Sequence, residues 1–251
     1  MRVDGRPAGS LRKVRLVRSC LRHTPGSALI RAGNTQVLCA ATVEEKAPPF
    51  LRGKNRGWIT AEYGMLPGAT TERSVRNRIS GRGMEIQRLI GRALRSVVLL
   101  PKLGERTIIL DCDVLEADGG TRTAAITAAF VALRETIDHL LREGKLAEDP
   151  IQESVAAVSV GRVDGEMLLD LDHHEDSSAD VDFNLVATGS GKLVEVQGTA
   201  ERGTFTDQEL QRMVKLGLRG VRRLIQLQNR CLAAEPRPLG MLLPGRQQQG
   251  T

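Results

Sequence analysis

The chain has 251 residues, 41% of them apolar, which is enough to bury a substantial core and too many for a disordered chain. Its 36 basic and 30 acidic residues leave a net charge of +6, a balance that favours a polyanionic partner. Aromatics are only 2%, which argues against a stacking platform for single-stranded bases, and no run approaches the roughly 18 apolar residues that mark a membrane span.

In chain order, the opening MRVDGRPAGS lacks an apolar signal core. SALIRAGNTQVLCAATVEE then predicts a β-hairpin turning at Gly33-Asn34. The segment from Lys46 to Arg82, rich in Gly, Pro and Arg, is expected to be a long functional loop. MEIQRLIGRALRSVVLL predicts a helix whose apolar stripe is Ile86, Leu89, Ile90, Ala93, Leu94 and Val97, ended by Pro101. RTIILDCDVLEADGG predicts a strand closed by a Gly-Gly turn, followed by a helix from Thr121 that Gly144 stops. Two strands around Asp164-Gly165 lead into an acidic segment, and two more follow around a glycine turn at GSGK. A last helix opens on Thr206 and Glu209, spaced as a capping box in which hydroxyl and carboxylate satisfy orphan amides reciprocally. Strand pairs and helices mix without strict βαβ alternation, so the expected class is α+β. Residues 1–235 read as one domain and 236–251 as a mobile tail. The four cysteines are scattered with no CxxC pair, so buried thiols in a reducing compartment, and a cytoplasmic location, are expected.

Three stretches carry chemistry. In EADGGTRTA, Gly119 and Gly120 permit close backbone approach, Thr121 adds a hydroxyl and Arg122 a bidentate fork at a helix N-terminus; this is an anion site or a simple strand-to-helix turn. Arg82, in SGRGME, has the same character before another helix, and two such arginines can hold one phosphate from both sides. Between Thr71 and Arg95 there are seven arginines and only two acids, Glu72 and Glu85. Of these, Arg88, Arg92 and Arg95 fall on one helix face, either solvated or facing phosphate. In LDLDHHEDSSADVDFN, six carboxylates surround two histidines. Adjacent His173 and His174 on a strand would point to opposite faces and not share a zinc ion. Asp176, Asp180 and Asp182 suit a hard oxygen-preferring ion such as magnesium, or else form a solvated acidic loop.

Together, GWITAEYGMLP (57–67), MEIQRLIGRALR (84–95), LDCDVLEADGGTRTA (110–124), EDSSADVDFN (175–184) and EVQGTAE (195–201) resemble the bacterial ribonuclease PH family over nearly the whole chain. The resemblance implies two related β-α halves with mixed sheets packed with helices, and a homo-hexameric ring built as a trimer of dimers. It implies a phosphorolytic 3′-to-5′ exoribonuclease acting on the 3′ ends of tRNA precursors and other RNAs and releasing nucleoside 5′-diphosphates. By the same resemblance, Arg82, Gly120, Thr121 and Arg122 bind inorganic phosphate, Asp176 and Asp182 are catalytic carboxylates holding magnesium or manganese, and Arg73 and Arg76 line the RNA entrance. Members often carry an arginine directly after MLP, where this chain has Gly68, and the loop from Arg76 to Met84 is shorter than usual. Two readings stand beside this one. The first is a non-catalytic RNA-binding ring subunit; the second is a manganese phosphoesterase built on Asp172-His173-His174, for which only His23 and His139 remain as further imidazoles.

Overall fold

A computed structural model describes residues 2–75 and 81–236. It contains two β-sheets and four α-helices. The first sheet is built from β1 (Val14–Arg18), β2 (Gly26–Ala32), β3 (Thr35–Glu44), β4 (Trp58–Met65) and β5 (Thr107–Glu116), in the order β1-β2-β3-β5-β4. All its pairs are antiparallel except β4 with β5. The hairpin at Gly33-Asn34 forms where the sequence predicts it, with Ala32 opposite Thr35. The second sheet is wholly antiparallel, in the order β7-β6-β8-β9, from β6 (Val155–Val163), β7 (Glu166–Leu169), β8 (Val181–Thr188) and β9 (Leu193–Ala200).

Helix α2 (Thr121–Arg142) lies between the sheets. It packs on β2, β3 and β5 on one side and on β6 on the other. Its run of Ala124 to Leu133 is buried without interruption, as a helix covered all round must be. Helix α1 (Gly81–Arg95) covers β4 and α2, and α4 (Asp207–Ala233) covers β6 and β8. The capping box at the start of α4 is formed: Thr206 Oγ1 accepts from the Glu209 amide, and Glu209 accepts from the Thr206 amide. GSGK makes a hairpin turn, in which the Thr188 amide donates to the Lys192 carbonyl. All four cysteines are free and buried. The α+β class holds.

The structure corrects three expectations. The Lys46–Arg82 segment is not all loop, because Trp58–Met65 forms β4, which burial of Ile59 and Ala61 and pairing with β5 hold in place. Helix α1 stops at Arg95 rather than at Pro101. The β-branched Val97 and Val98 leave it for a bridge to Ile151, with Gln152 donating to the Val97 carbonyl. His173 and His174 do not lie on a strand; β7 closes at Leu169, and the pair opens a short helix, α3 (His173–Ser178), on its exposed side.

Candidate active site

Strand β5 delivers the chain to a turn at Asp118-Gly119-Gly120 from which α2 starts. Both glycines are left-handed, φ 74° and 64°. A Cβ on Gly119 would lie 2.6 Å from the Leu171 carbonyl oxygen and from the Asp172 carbonyl carbon, so only glycine lets this turn press against the segment before α3. The N-cap of α2 is Gly120, and no side chain caps it. Its first amides and the positive end of its dipole therefore point outward, beside the Thr121 hydroxyl and Arg122, as an anion site requires. Tyr63 of β4 donates to Thr121 Oγ1 at 2.8 Å. Burial pushes the Tyr63 phenol up, while the Thr121 hydrogen bond and the charges of Arg82 and Arg122 pull it down. Arg82 sits in the first turn of α1, inside the helix rather than before it, and is exposed.

The carboxylates come from the other half. Asp172 caps α3 by accepting from the Glu175 amide. Glu175 turns inward; burial alone would raise its carboxyl, but Arg2, the Asp172 amide and Arg6 hold it below the usual range. Asp176, one residue on, is only half-buried, as is Asp182 near the start of β8. Burial and then the charge on Asp176 push the Asp182 carboxyl up; Glu201 adds to this, and Arg122 and Arg82 oppose it. Asp182 therefore feels Arg122, Arg82 and the second carboxylate at once. Asn184 steadies it, donating to its two oxygens at 3.1 and 3.3 Å. Opposite Asn184 on β9 stands Gln197, whose side-chain oxygen accepts from Arg122 at 3.4 Å. Asp180 faces Arg162 at 3.7 Å instead.

What fixes the two halves in register is Arg12. Its buried guanidinium meets Asp170 at 2.8 Å and donates to the carbonyls of Asp118 and Gly119, while Thr35 Oγ1 donates to Gly119 at 2.7 Å. Desolvation lowers the Arg12 proton affinity, and Asp170 by charge and hydrogen bond more than restores it. The His173 amide donates to Asp118 at 3.2 Å, tying the start of α3 to the same turn. Among the described residues no cluster of three or more His, Cys, Asp or Glu side chains is placed to hold a metal. The carboxylate pair Asp176 and Asp182 repels itself, and a hard cation such as magnesium, commonly held by one or two carboxylates plus phosphate oxygens, would relieve that repulsion.

Residues 10–137 match the 3′ exoribonuclease family, domain 1, and residues 153–220 match its domain 2. The chain belongs to the ribonuclease PH family. Curated relatives include Ribonuclease PH of Exiguobacterium sibiricum, 56% identical over 238 residues covering 93% of this chain and 95% of that one. Ribonuclease PH of Neisseria meningitidis serogroup B is 55% identical over 91% of this chain and 96% of its own. Among solved structures, an Archaeoglobus fulgidus exosome with RNA bound to the active site superposes with TM-score 0.78 at 23% identity, over 90% of this chain and 91% of that one. Rice (Oryza sativa) Rrp46 gives 0.75 at 22%, over 92% and 100%. These two share the fold. As a ribonuclease PH family member the chain is a phosphorolytic 3′-to-5′ exoribonuclease.

The structure thus brings Arg82, Gly120, Thr121, Arg122, Asp176 and Asp182 to one corner. Arg73 is exposed, and Arg76 lies outside the described residues. Two of the helix arginines are used within the fold. Arg92 pairs with Glu195 at 2.8 Å, and Arg95 lies 4.2 Å from the Trp58 ring centroid and donates to the Ile59 carbonyl. Sequence reasoning missed Tyr63, Arg12, Thr35, Asn184 and Gln197. For Asn184 a signal existed, since it shares a strand face with Asp182 two residues away. For Arg12 and Thr35 there was none, because their partners are remote in sequence.

Proposed function

We propose that the corner of Arg82, Gly120, Thr121 and Arg122 takes inorganic phosphate as the attacking group, and that Asp176 and Asp182 hold a magnesium or manganese ion facing it. The observation that carries this reading is Asp182, a carboxylate acted on together by Asp176, Arg122 and Arg82. The reaction needs two anions brought together, which is a matter of positioning and charge neutralisation rather than a covalent nucleophile. The α2 amides, the Thr121 hydroxyl and the two guanidinium forks orient the attacking phosphate; Tyr63 fixes the Thr121 rotamer. Asn184 and Gln197 hold Asp182 and Arg122 so that the two groups keep their places. When bound, the ion supplies Lewis-acid stabilisation of charge on the phosphodiester under attack. A phosphate oxygen bonds to phosphorus, the bond to the 3′ oxygen breaks, and hydrogen phosphate supplies the proton which that oxygen takes. The products are a shortened RNA and a nucleoside 5′-diphosphate.

The natural substrates in this reading are tRNA precursor 3′ ends, with Arg73 and Arg76 at the entrance, and the working form is a homo-hexamer, a trimer of dimers. Exosome neighbours with the same fold support a ring. No helix among the described residues is long and apolar enough to cross a membrane, in keeping with a cytoplasmic enzyme. The test is to incubate the protein with 3′-extended tRNA and magnesium, with and without phosphate, and to identify the products. Diphosphates released only with phosphate are expected; equal shortening without it, or nucleoside monophosphates, would overturn the reading. Metal binding is tested apart from turnover: magnesium should raise Tm of the parent protein and leave Asp182→Asn unmoved.

A further inference from the structure

Helix α4 carries its charge on one side. From Gln211 to Arg230 its exposed positions are Arg212, Lys215, Arg219, Arg222, Arg223 and Arg230, with the amides Gln211, Gln226 and Asn229 between them. Each is a cation or a neutral hydrogen-bonding group. The acids of the helix, Asp207 and Glu209, are confined to its first turn, and Glu209 is taken by Arg162 at 2.7 Å. At 3.6 residues per turn, Arg212, Arg219, Arg223 and Arg230 fall in one row, about 27 Å long at 1.5 Å per residue, with Lys215 and Arg222 beside it. Among the described residues, the side chains of Arg212, Lys215, Arg219, Arg222 and Arg230 have no ion-pair or hydrogen-bond partner, and Arg223 donates to the Gly9 carbonyl at 3.0 Å. Like charges three and four residues apart repel, so the bare row opposes helix formation unless an anion meets it.

We infer that the outer face of α4 binds the phosphate backbone of the RNA body, away from the 3′ end under attack. Five of the six cations are arginines, whose forks match phosphate oxygens, and no aromatic stands among them to stack on bases. A membrane surface is the poorer occupant. The apolar side of the helix, Met213, Leu216, Val221 and Leu224, is already buried in the core and has nothing to insert. The location also separates this face from the active corner. Phe183 and Leu185 of β8 point into the core under α4, while Asp182 and Asn184, alternating with them, point to the opposite side of the sheet. The row therefore contacts RNA that has wrapped past the sheet, and starts at the end where Arg162, opposite Val181, ties α4 to the strand bearing Asp182.

This inference rests on the chain acting on RNA, and its test is made by binding, with phosphate omitted, so that it does not depend on turnover. Arg212, Lys215, Arg219 and Arg222 are changed together to glutamine, which keeps helix propensity. Affinity for a folded tRNA and for a six-nucleotide oligomer is measured across salt concentrations. A matched control changes the exposed Arg22, Arg52, Lys54 and Arg56 to glutamine. The expected result is at least tenfold weaker tRNA binding, a salt slope reduced by about 3 for four lost phosphate contacts, unchanged oligomer binding and, in a separate assay with phosphate added, unchanged phosphorolysis of the oligomer. An unchanged slope, an equal loss on the oligomer, an equal loss in the control, or a change in sedimentation showing that the face holds a second copy or another protein would each overturn it. Failure of the parent protein to degrade the oligomer would instead strike the phosphorolytic reading alone.

Discussion

At the scale of single residues, the turn of the candidate site is held by hydrogen bonds from buried groups behind it. Thr35 illustrates this: fully buried, it accepts from the Asp118 amide at 3.0 Å and donates to the Gly119 carbonyl, so it fixes the turn that would present amides to phosphate. Thr35→Val should raise KM for phosphate by about tenfold, the equivalent of one net hydrogen bond, and leave KM for RNA unmoved; steady-state kinetics with each substrate varied in turn will check it. Asp182 shows the opposite balance, function held against stability. Because burial and Asp176 raise its carboxyl above the usual 3.8, its contribution to stability is present below that pH and lost as pH rises through its folded value. Asp182→Asn should abolish phosphorolysis and, in metal-free buffer, melt above the parent at pH 7, with the gap closing toward pH 4. Parallel melting and activity assays across that range decide it, and a large fall in Tm at pH 7 would contradict it. Arg122→Ala should weaken use of phosphate far more than binding of RNA.

At the scale of elements, long periodic segments were legible and short context-dependent ones were not. The hairpin turning at Gly33-Asn34, α2 and the capping box of α4 follow from turn chemistry, apolar periodicity and cap spacing, which are local properties. Strand β4 hid among glycines and prolines, since its reason for being a strand is the parallel neighbour β5, far along the chain. The early end of α1 likewise depends on Ile151. In the candidate site, the arginines and carboxylates proposed to carry the charges of the reaction stood out, as their types are uncommon in such company. The scaffold of Arg12, Tyr63 and Gln197 was invisible, because nothing local distinguishes an arginine that organises a turn from one facing solvent. Glu209 gives a prediction at this scale. The Thr206 amide, then Arg162 and the Thr206 hydroxyl, bring its carboxyl from 4.5 down to about 2. The stability it contributes is present above pH 4.5 and lost as pH falls through about 2. Glu209→Gln should lower Tm at pH 7, and the difference from the parent should shrink below pH 4.5; a constant difference would refute the cap's charge as the cause.

At the scale of the whole molecule, the two halves are joined by charge as well as by α2. Arg2 donates to Glu175 at 2.6 Å and to the Leu169 and Asp170 carbonyls, Arg6 meets Glu175 at 3.0 Å, and Arg12 meets Asp170. Asp170 itself is left-handed, φ 59°, a conformation that Asn accepts as readily as Asp. Asp170→Asn therefore keeps the backbone and removes the charge, leaving buried Arg12 without its ion-pair partner and with only the weaker influence of Asp118 and Asp172. The expected cost is about 3 kcal/mol, read by urea denaturation, with phosphate use impaired by more than folding alone explains.

The strap that makes these contacts has a consequence in time. The Arg2–Glu175 bond spans 173 residues, and Arg12 needs Asp170 before it can set the turn at Gly119. During synthesis the first sheet and α2 are out of the ribosome well before either acid. The first half can collapse early, yet the turn at Gly119 lacks the tie that Arg12 makes to Asp170 until the second half arrives. By that order the corner organised by Arg12 is expected to be completed only after the chain bearing Asp170 and Asp182 has emerged, late in synthesis.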